Sequence, residues 1–146
     1  MGNGAIELTH RVGRLIETRL RGPLTLVDVE QIFEHAQLVY ALPVEKFLSV
    51  VDLRDTQAQD DEIVQPLLQL IKSVNPRIER VGFLVGGDSL LAVQVESVVI
   101  SARHPGRRVF RDPLSLTDFL GEVGTPEELQ RLKEFLAEWP GSAEPG

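Results

Sequence analysis

Phe47-Leu48-Ser49-Val50-Val51-Asp52-Leu53 is a short, mostly apolar run with one acidic residue near its end. Such a run reads as an interior strand covered on both faces, as in a parallel sheet whose two sides each meet helices. Helical spacing flanks it. Upstream, Leu26, Val29, Ile32, Phe33, Ala36, Val39 and Tyr40 fall on one face at i, i+3, i+4 intervals. Thr25 is the predicted N-cap, Asp28 lies in the first turn where the helix dipole favours an acid, and Pro43 closes the segment. Downstream comes a polar loop over 54–59, then a helix over 60–74 that stops before Asn75-Pro76. Pro66 must sit in its first turn or kink it, because a proline further in removes a ladder bond.

The alternation continues outward in both directions. Val81-Gly82-Phe83-Leu84-Val85 reads as a second interior strand, broken by Gly86-Gly87. Asp88 or Ser89 caps a third helix reaching about residue 104; its β-branched residues would also suit a strand, but its length and cap favour helix. Arg107-Arg108-Val109-Phe110 is a short last strand, and Asp112-Pro113 starts a fourth helix ending near Gly121. Thr125-Pro126-Glu127-Glu128 opens a C-terminal helix with the stripe Leu129, Leu132, Phe135, Leu136 and Trp139, ended by Pro140-Gly141. Before the first helix, strands are predicted over 6–10 and 15–20, the second stopped by Gly22-Pro23. The order ββαβαβαβα plus a last helix implies an α/β fold. Its sheet is mainly parallel, with an N-terminal antiparallel hairpin and flanking helices.

Composition agrees with one folded domain. The chain has 146 residues, 42% hydrophobic and 25% charged, and its aromatic content of 5% means a core built from Leu, Val and Ile. It contains no cysteine, which removes disulfides, thiolate metal sites and thiol nucleophiles and suits a reducing, cytoplasmic setting. No apolar run approaches the ~20 residues needed to span a membrane. The opening residues show no secretory signal, and Ile6 stands where a myristoylation motif wants Ser or Thr. A formal charge of −7 argues against general nucleic-acid binding.

Four stretches carry a resemblance to a known family. They are Arg21-Gly22-Pro23-Leu24-Thr25, running from a strand into a helix; Leu48-Ser49-Val50-Val51-Asp52-Leu53, with its terminal aspartate; Val81-Gly82-Phe83-Leu84-Val85; and Arg108-Val109-Phe110-Arg111-Asp112, leading into Leu116-Thr117-Asp118-Phe119-Leu120. Together they resemble the STAS superfamily, in particular its SpoIIAA-like (anti-sigma-factor-antagonist-like) branch. The resemblance covers residues 5–121; residues 122–140 read as an appended helix on the same domain and 141–146 as a frayed tail. It implies a non-enzymatic bacterial regulatory module that binds a protein partner and self-associates, with no cofactor, or else a carrier or sensor of a small apolar or lipid-like ligand. A phosphorylatable member carries an Asp-Ser or Asp-Thr pair at the start of the helix after the middle strand. Here Ala58-Gln59-Asp60-Asp61-Glu62-Ile63 stands there instead, with Thr56 earlier beside Asp55. The resemblance therefore implies binding without the usual phospho-switch; the fixed carboxylates read either as a mimic of the modified state or as a plain acidic N-terminus favoured by the helix dipole.

Several clusters are candidate sites. Asp52, Asp55, Asp60, Asp61 and Glu62 crowd the carboxyl end of the middle strand, where open α/β sheets place their sites, as a partner surface or as Mg²⁺ ligands. Arg103, His104, Arg107, Arg108 and Arg111 form the one dense basic segment, with Arg107 and Arg108 the residues expected to meet an acidic partner. Gly86-Gly87-Asp88-Ser89 reads as a phosphate cradle or a capped turn. His10, His35 and His104 lack metal-ligand spacing, and no serine lies in a nucleophile elbow. The third helix is apolar on more than one side, so something besides its own core covers it: the C-terminal helix, a second subunit, or an apolar ligand held by Leu91, Val95, Val98 and Val99.

Overall fold

In the computed structural model, which describes residues 6–138, β1 (Ile6–Val12) and β2 (Leu15–Gly22) form an antiparallel hairpin. Its edge strand opens a five-stranded sheet of order β1-β2-β3-β4-β5, with β3 (Phe47–Thr56), β4 (Ile78–Val85) and β5 (Arg107–Phe110) parallel to β2. Every parallel connection steps to the next strand in the same direction. Right-handed crossovers therefore place α1 (Leu26–Tyr40), α2 (Asp61–Ser73) and α3 (Ser89–Ala102) on one face. The chain returns across the other face as α4 (Pro113–Gly121) and α5 (Pro126–Ala137). Trp139, Pro140-Gly141 and the tail 141–146 of the sequence reading lie outside the described residues, as does residue 5.

The helix starts follow local chemistry. Thr25 and Asp28 form a reciprocal capping box on α1, and Thr125 with Glu128 does the same on α5. Asp88 caps α3 by accepting from the backbone N–H groups of Leu90 and Leu91, and Asp112 caps α4 with Pro113 in the first turn. Four strands, β1 to β4, are longer than the sequence suggests. β3 runs on to Thr56 because Arg21 and Gly22 of β2 pair with Asp55 and Thr56, and β4 begins at Ile78, straight after a 3₁₀ turn over Asn75–Arg77. Pro66 lies inside α2, beyond its first turn. Among the described residues, no helix is long and apolar enough to cross a membrane.

Strand alternation divides the interior in two. Leu15, Leu48, Val50 and Leu84 face α4 and α5, meeting Leu116, Phe119, Leu120, Leu132, Phe135 and Leu136. Among the described residues, three acids are buried on this face and all are paired. Glu17 receives two hydrogen bonds of 2.8 Å from Arg131, and Glu128 receives the backbone N–H of Arg14 at 2.6 Å. Asp52 is 1% exposed. Its Oδ2 accepts from Arg19 Nε (3.1 Å) and Arg54 Nη2 (2.9 Å), and its Oδ1 from the backbone N–H and Nε of Arg54 (3.1 and 3.0 Å). Both arginines then reach the end of α5. Arg19 Nη2 donates to the Phe135 carbonyl at 2.6 Å and Arg54 Nη2 to that of Leu136 at 2.9 Å, where a helix leaves carbonyls short of partners. The Arg19 guanidinium also lies 4.1 Å from the Phe135 ring centroid.

This arrangement corrects one expectation. α5 does not cover α3; it lies on the opposite face of the sheet, drawn there by the cations that Asp52 and Glu17 hold in place. Leu90, Val93 and Ile100 of α3 are left exposed.

Burial pushes the Asp52 carboxyl up, but the hydrogen bonds and charge of Arg54, with Arg19, more than offset it and hold its pKa below the ordinary aspartate range. A depressed folded-state pKa contributes stability that is present above the unfolded value of about 3.9 and is lost as pH falls through the folded one. Asp52→Asn strands buried cations and is expected to cost roughly 3–5 kcal/mol in urea unfolding at pH 7. Its stability should also change less than that of the wild type as the pH is lowered below about 4. Unchanged unfolding at both pH values would show that the cluster does not secure the fold.

Candidate functional site

Across the sheet from this ion-paired layer, the interior is apolar and incompletely filled. Ile16, Thr18 and Leu20 of β2, Ser49, Val51 and Leu53 of β3, and Ile78, Val81 and Phe83 of β4 line one wall of a cavity of about 180 Å³. α1 supplies Ile32, Ala36 and Tyr40, α2 supplies Val64, Leu67, Leu70 and Ile71, and α3 supplies Leu91, Gln94, Val95 and Val98. The space arises where short side chains stand in a layer built for long ones: Ala36, Thr18 and Ser49 all lie on its wall. At ~24 cal/mol per Å³, an empty cavity of this size forgoes about 4 kcal/mol of packing. That is a large part of a domain's net stability.

The two ends of the cavity differ. At the carboxyl end of the strands, Thr56, Gln57, Gln59 and Gln94 line it, and exposed Gln57 marks the way out to solvent. Gln59 and Gln94 close this end with a reciprocal pair. The Gln59 backbone N–H donates to Gln94 Oε1 at 2.9 Å, and Gln94 Nε2 donates to the Gln59 carbonyl at 2.8 Å. The Gln59 side chain in turn accepts the Leu24 N–H at 2.8 Å, tying the loop to the start of α1.

The amino end carries Tyr40 and Arg107. Arg107 is 5% exposed, so the expectation that it meets an acidic partner at the surface is corrected. The cause is alternation in β5. Arg107 turns toward α2, whereas Arg108 turns to the other face and lies, exposed, 4.9 Å from the Phe119 ring centroid. Arg107 donates to the side-chain oxygen of Asn75 and to the Ile71 carbonyl at 2.9 Å, while its Nε has no partner. Burial pushes its pKa down to about 10, and pushes the Tyr40 phenol up to about 12 against the pull of Arg107 and Arg77. Near neutral pH, Arg107 is therefore a buried cation and Tyr40 a neutral phenol.

No family model matches the chain, and no curated protein matches it in sequence. Among solved structures, it is similar to the crystal structure of an uncharacterised DUF3478-family protein with a SpoIIAA-like fold from Shewanella loihica PV-4. The TM-score is 0.58 at 20% identity, over 80% of this chain and 92% of that one. The fold is SpoIIAA-like.

On this SpoIIAA-like frame the acidic cluster of the sequence is dispersed. Asp52 is buried among arginines and out of a partner's reach, whereas Asp55, Asp60, Asp61 and Glu62 are exposed. Asp60 occupies the N-cap of α2 without a side-chain capping bond. Among the described residues, no group of three His, Asp or Glu side chains is placed to hold a metal ion, so the Mg²⁺ reading of these carboxylates loses its geometry. Thr56 is half-buried, its hydroxyl donating to the Gly22 carbonyl at 2.5 Å and accepting from Gln59 Nε2 at 3.2 Å. In Gly86-Gly87-Asp88-Ser89 the Asp88 carboxylate takes the Leu90 and Leu91 N–H groups that a phosphate would need, which makes it a capped turn.

Leu91, Val95 and Val98 line the cavity; Val99 packs against the same core without lining it. Sequence reasoning missed Tyr40, Gln59 and Gln94 as wall residues. Gln94 had a signal: it is the single polar side chain between Leu90 and Val95.

A contrast between the two faces tests this picture. Ala36→Leu puts a larger side chain into the void and is expected to raise stability by about 1–2 kcal/mol in urea unfolding. Gly82→Ala acts on the filled face, where its Cβ would stand 2.8 Å from Leu116 Cγ, and should cost about 1–3 kcal/mol. Equal losses for both variants would mean that the cavity is absent in solution.

Proposed function

We propose that this protein is a non-enzymatic binding module that holds a small apolar or lipid-like ligand between the sheet and helices α1 to α3. The observation that carries the reading is the cavity itself. It measures about 180 Å³, with almost entirely apolar walls and polar groups gathered at its two ends. In another protein, an engineered apolar cavity of about 150 Å³ stays dry and takes up benzene, so the space here suits a compact ring or a short alkyl chain. Pockets of this kind use a few placed polar groups to orient an otherwise apolar ligand. The cost of leaving the space empty favours a state in which it is filled.

One observation favours a second role, capture of a protein partner. Asp55, Asp60, Asp61 and Glu62 are exposed near the polar mouth, and the Asp60 carboxylate is not used in capping. With Thr56 committed to internal hydrogen bonds, partner contact there would depend on fixed charge rather than on a phosphate. Arg108, exposed on the opposite side of β5 from the cavity, belongs to a separate contact surface in this reading.

Native mass spectrometry of the protein purified without denaturation tests ligand carriage. The expected result is a reproducible low-mass adduct that unfolding releases and that Ala36→Leu lacks. Titration with 1-octanol to ~100-fold above its Kd should stabilise the wild type by about 2.7 kcal/mol, or raise its Tm by roughly 10 °C. Gln94→Ala removes both bonds of the closing pair and is expected to speed octanol exchange several-fold in stopped-flow measurements while changing affinity less. A clean apo mass together with an unmoved Tm would rule the reading out.

A further inference from the structure

Among the described residues, Arg107 is a buried charge with no ion-pair partner. Its guanidinium is buried, its two terminal nitrogens are committed to the neutral oxygens of Asn75 and Ile71, and its Nε has no partner. Among the described residues, no carboxylate forms an ion pair with it, although buried arginines elsewhere are paired: Arg19 with Asp52, and Arg131 with Glu17. A buried cation without a counter-charge is strongly disfavoured, and burial has already pulled its pKa down to about 10. Arg21 also has an unpartnered Nε, but it is bridged to Glu7 and does not line the cavity. Arg107 does line it, at the end opposite the glutamine-closed mouth and in the company of Tyr40.

We propose that the ligand is an amphipathic monocarboxylate, its alkyl or aryl body in the apolar cavity and its carboxylate at the Arg107 guanidinium and the Tyr40 hydroxyl. The inference rests on the cavity being a ligand site and adds the ligand's charge, head group and orientation. One positive charge without a counter-charge matches one carboxylate, and the bonds to Asn75 and Ile71 use only two of the five guanidinium N–H groups. The neutral Tyr40 phenol supplies a hydroxyl for the second oxygen, since its raised pKa keeps it protonated at neutral pH. A phosphate dianion would bring a second negative charge, and among the residues lining the cavity there is no second cation to meet it. The tail then points along the sheet toward Gln59 and Gln94, so the charged end enters first and the mouth closes behind the apolar end. Binding would supply the counter-ion that the fold omits.

Equilibrium dialysis of the full chain at pH 7 with labelled octanoate, 1-octanol and octyl phosphate separates the alternatives. The wild type is expected to hold octanoate at least tenfold tighter than octanol, and tighter than octyl phosphate. Arg107→Gln should reduce the octanoate preference to near parity while leaving octanol affinity within about twofold, and Tyr40→Phe should reduce it in part. A merely structural arginine would move both ligands together. If Arg107→Gln does not fold, the wild-type preference and the Tyr40→Phe variant decide alone. Equal wild-type binding of octanoate and octanol would overturn the carboxylate proposal and leave the apolar-ligand reading standing; tighter binding of octyl phosphate would overturn the choice of head group. No binding of any of the three would overturn both readings.

Discussion

A carboxylate buried at the centre of a sheet must be neutralised, and Asp52 is neutralised by two arginines rather than one. That requirement organises one side of the molecule. Arg19 and Arg54 satisfy Asp52 with part of each guanidinium and have donors left over, which reach the Phe135 and Leu136 carbonyls. The end of α5 is thereby fixed at a charged point, while Leu132, Phe135 and Leu136 fill the space beside it. Glu17 with Arg131, and Glu128 with Arg14, repeat the device along the same helix. This face of the sheet is both filled and tied down by directional bonds.

Because successive strand residues face opposite ways, the same strands that carry Glu17, Arg19 and Asp52 also present Ile16, Thr18, Leu20, Ser49 and Val51 to α1 to α3. There the fit is loose, and collapse is opposed at the edges. Arg77 donates to the Tyr40, Leu42 and Val44 carbonyls and holds the end of α1 to the start of β4. Arg107 holds the end of α2, and Asn75 Nδ2 donates to the Ala102 carbonyl at the end of α3. At the other end the Gln59–Gln94 pair joins the start of α2 to α3. Helices pinned at both ends cannot easily move inward to close a gap opposite their middles. The void is thus a consequence of short side chains under a braced roof.

Most of this frame was legible in the sequence because it depends on local rules. The helix starts at Thr25, Asp88, Asp112 and Thr125 are capping chemistry, the run from Phe47 to Leu53 is apolar, and Arg107–Phe110 is a short segment between turn signals. What was not legible depends on contacts between distant segments. Nothing near Asp52 in the chain announces that Arg19, 33 residues away, completes its shell. The pairing that extends β3 to Thr56 requires knowing its neighbour, and which face α5 covers is decided by ion pairs more than 100 residues apart. Arg107 illustrates the difficulty best. Within a run of arginines it reads as solvated charge, and only the alternation of a strand buried on one side turns it inward while Arg108 stays out.

The distribution of polar groups also links ligand and surface. In open α/β sheets, sites form at the carboxyl ends of the strands, and here that end holds both the mouth of the cavity and the acidic start of α2. Gln59 belongs to both: its backbone closes the mouth against Gln94, and the next residue, Asp60, is the N-cap of α2. Anything entering past Gln57 and Gln59 must part that pair, and the segment freed by doing so is the one that sets the position of Asp60, Asp61 and Glu62. In the proposed reading, ligand capture and the display of the acidic surface would be mechanically coupled through one short loop. Such coupling needs no covalent modification, which suits a chain whose Thr56 hydroxyl is already held by Gly22 and Gln59.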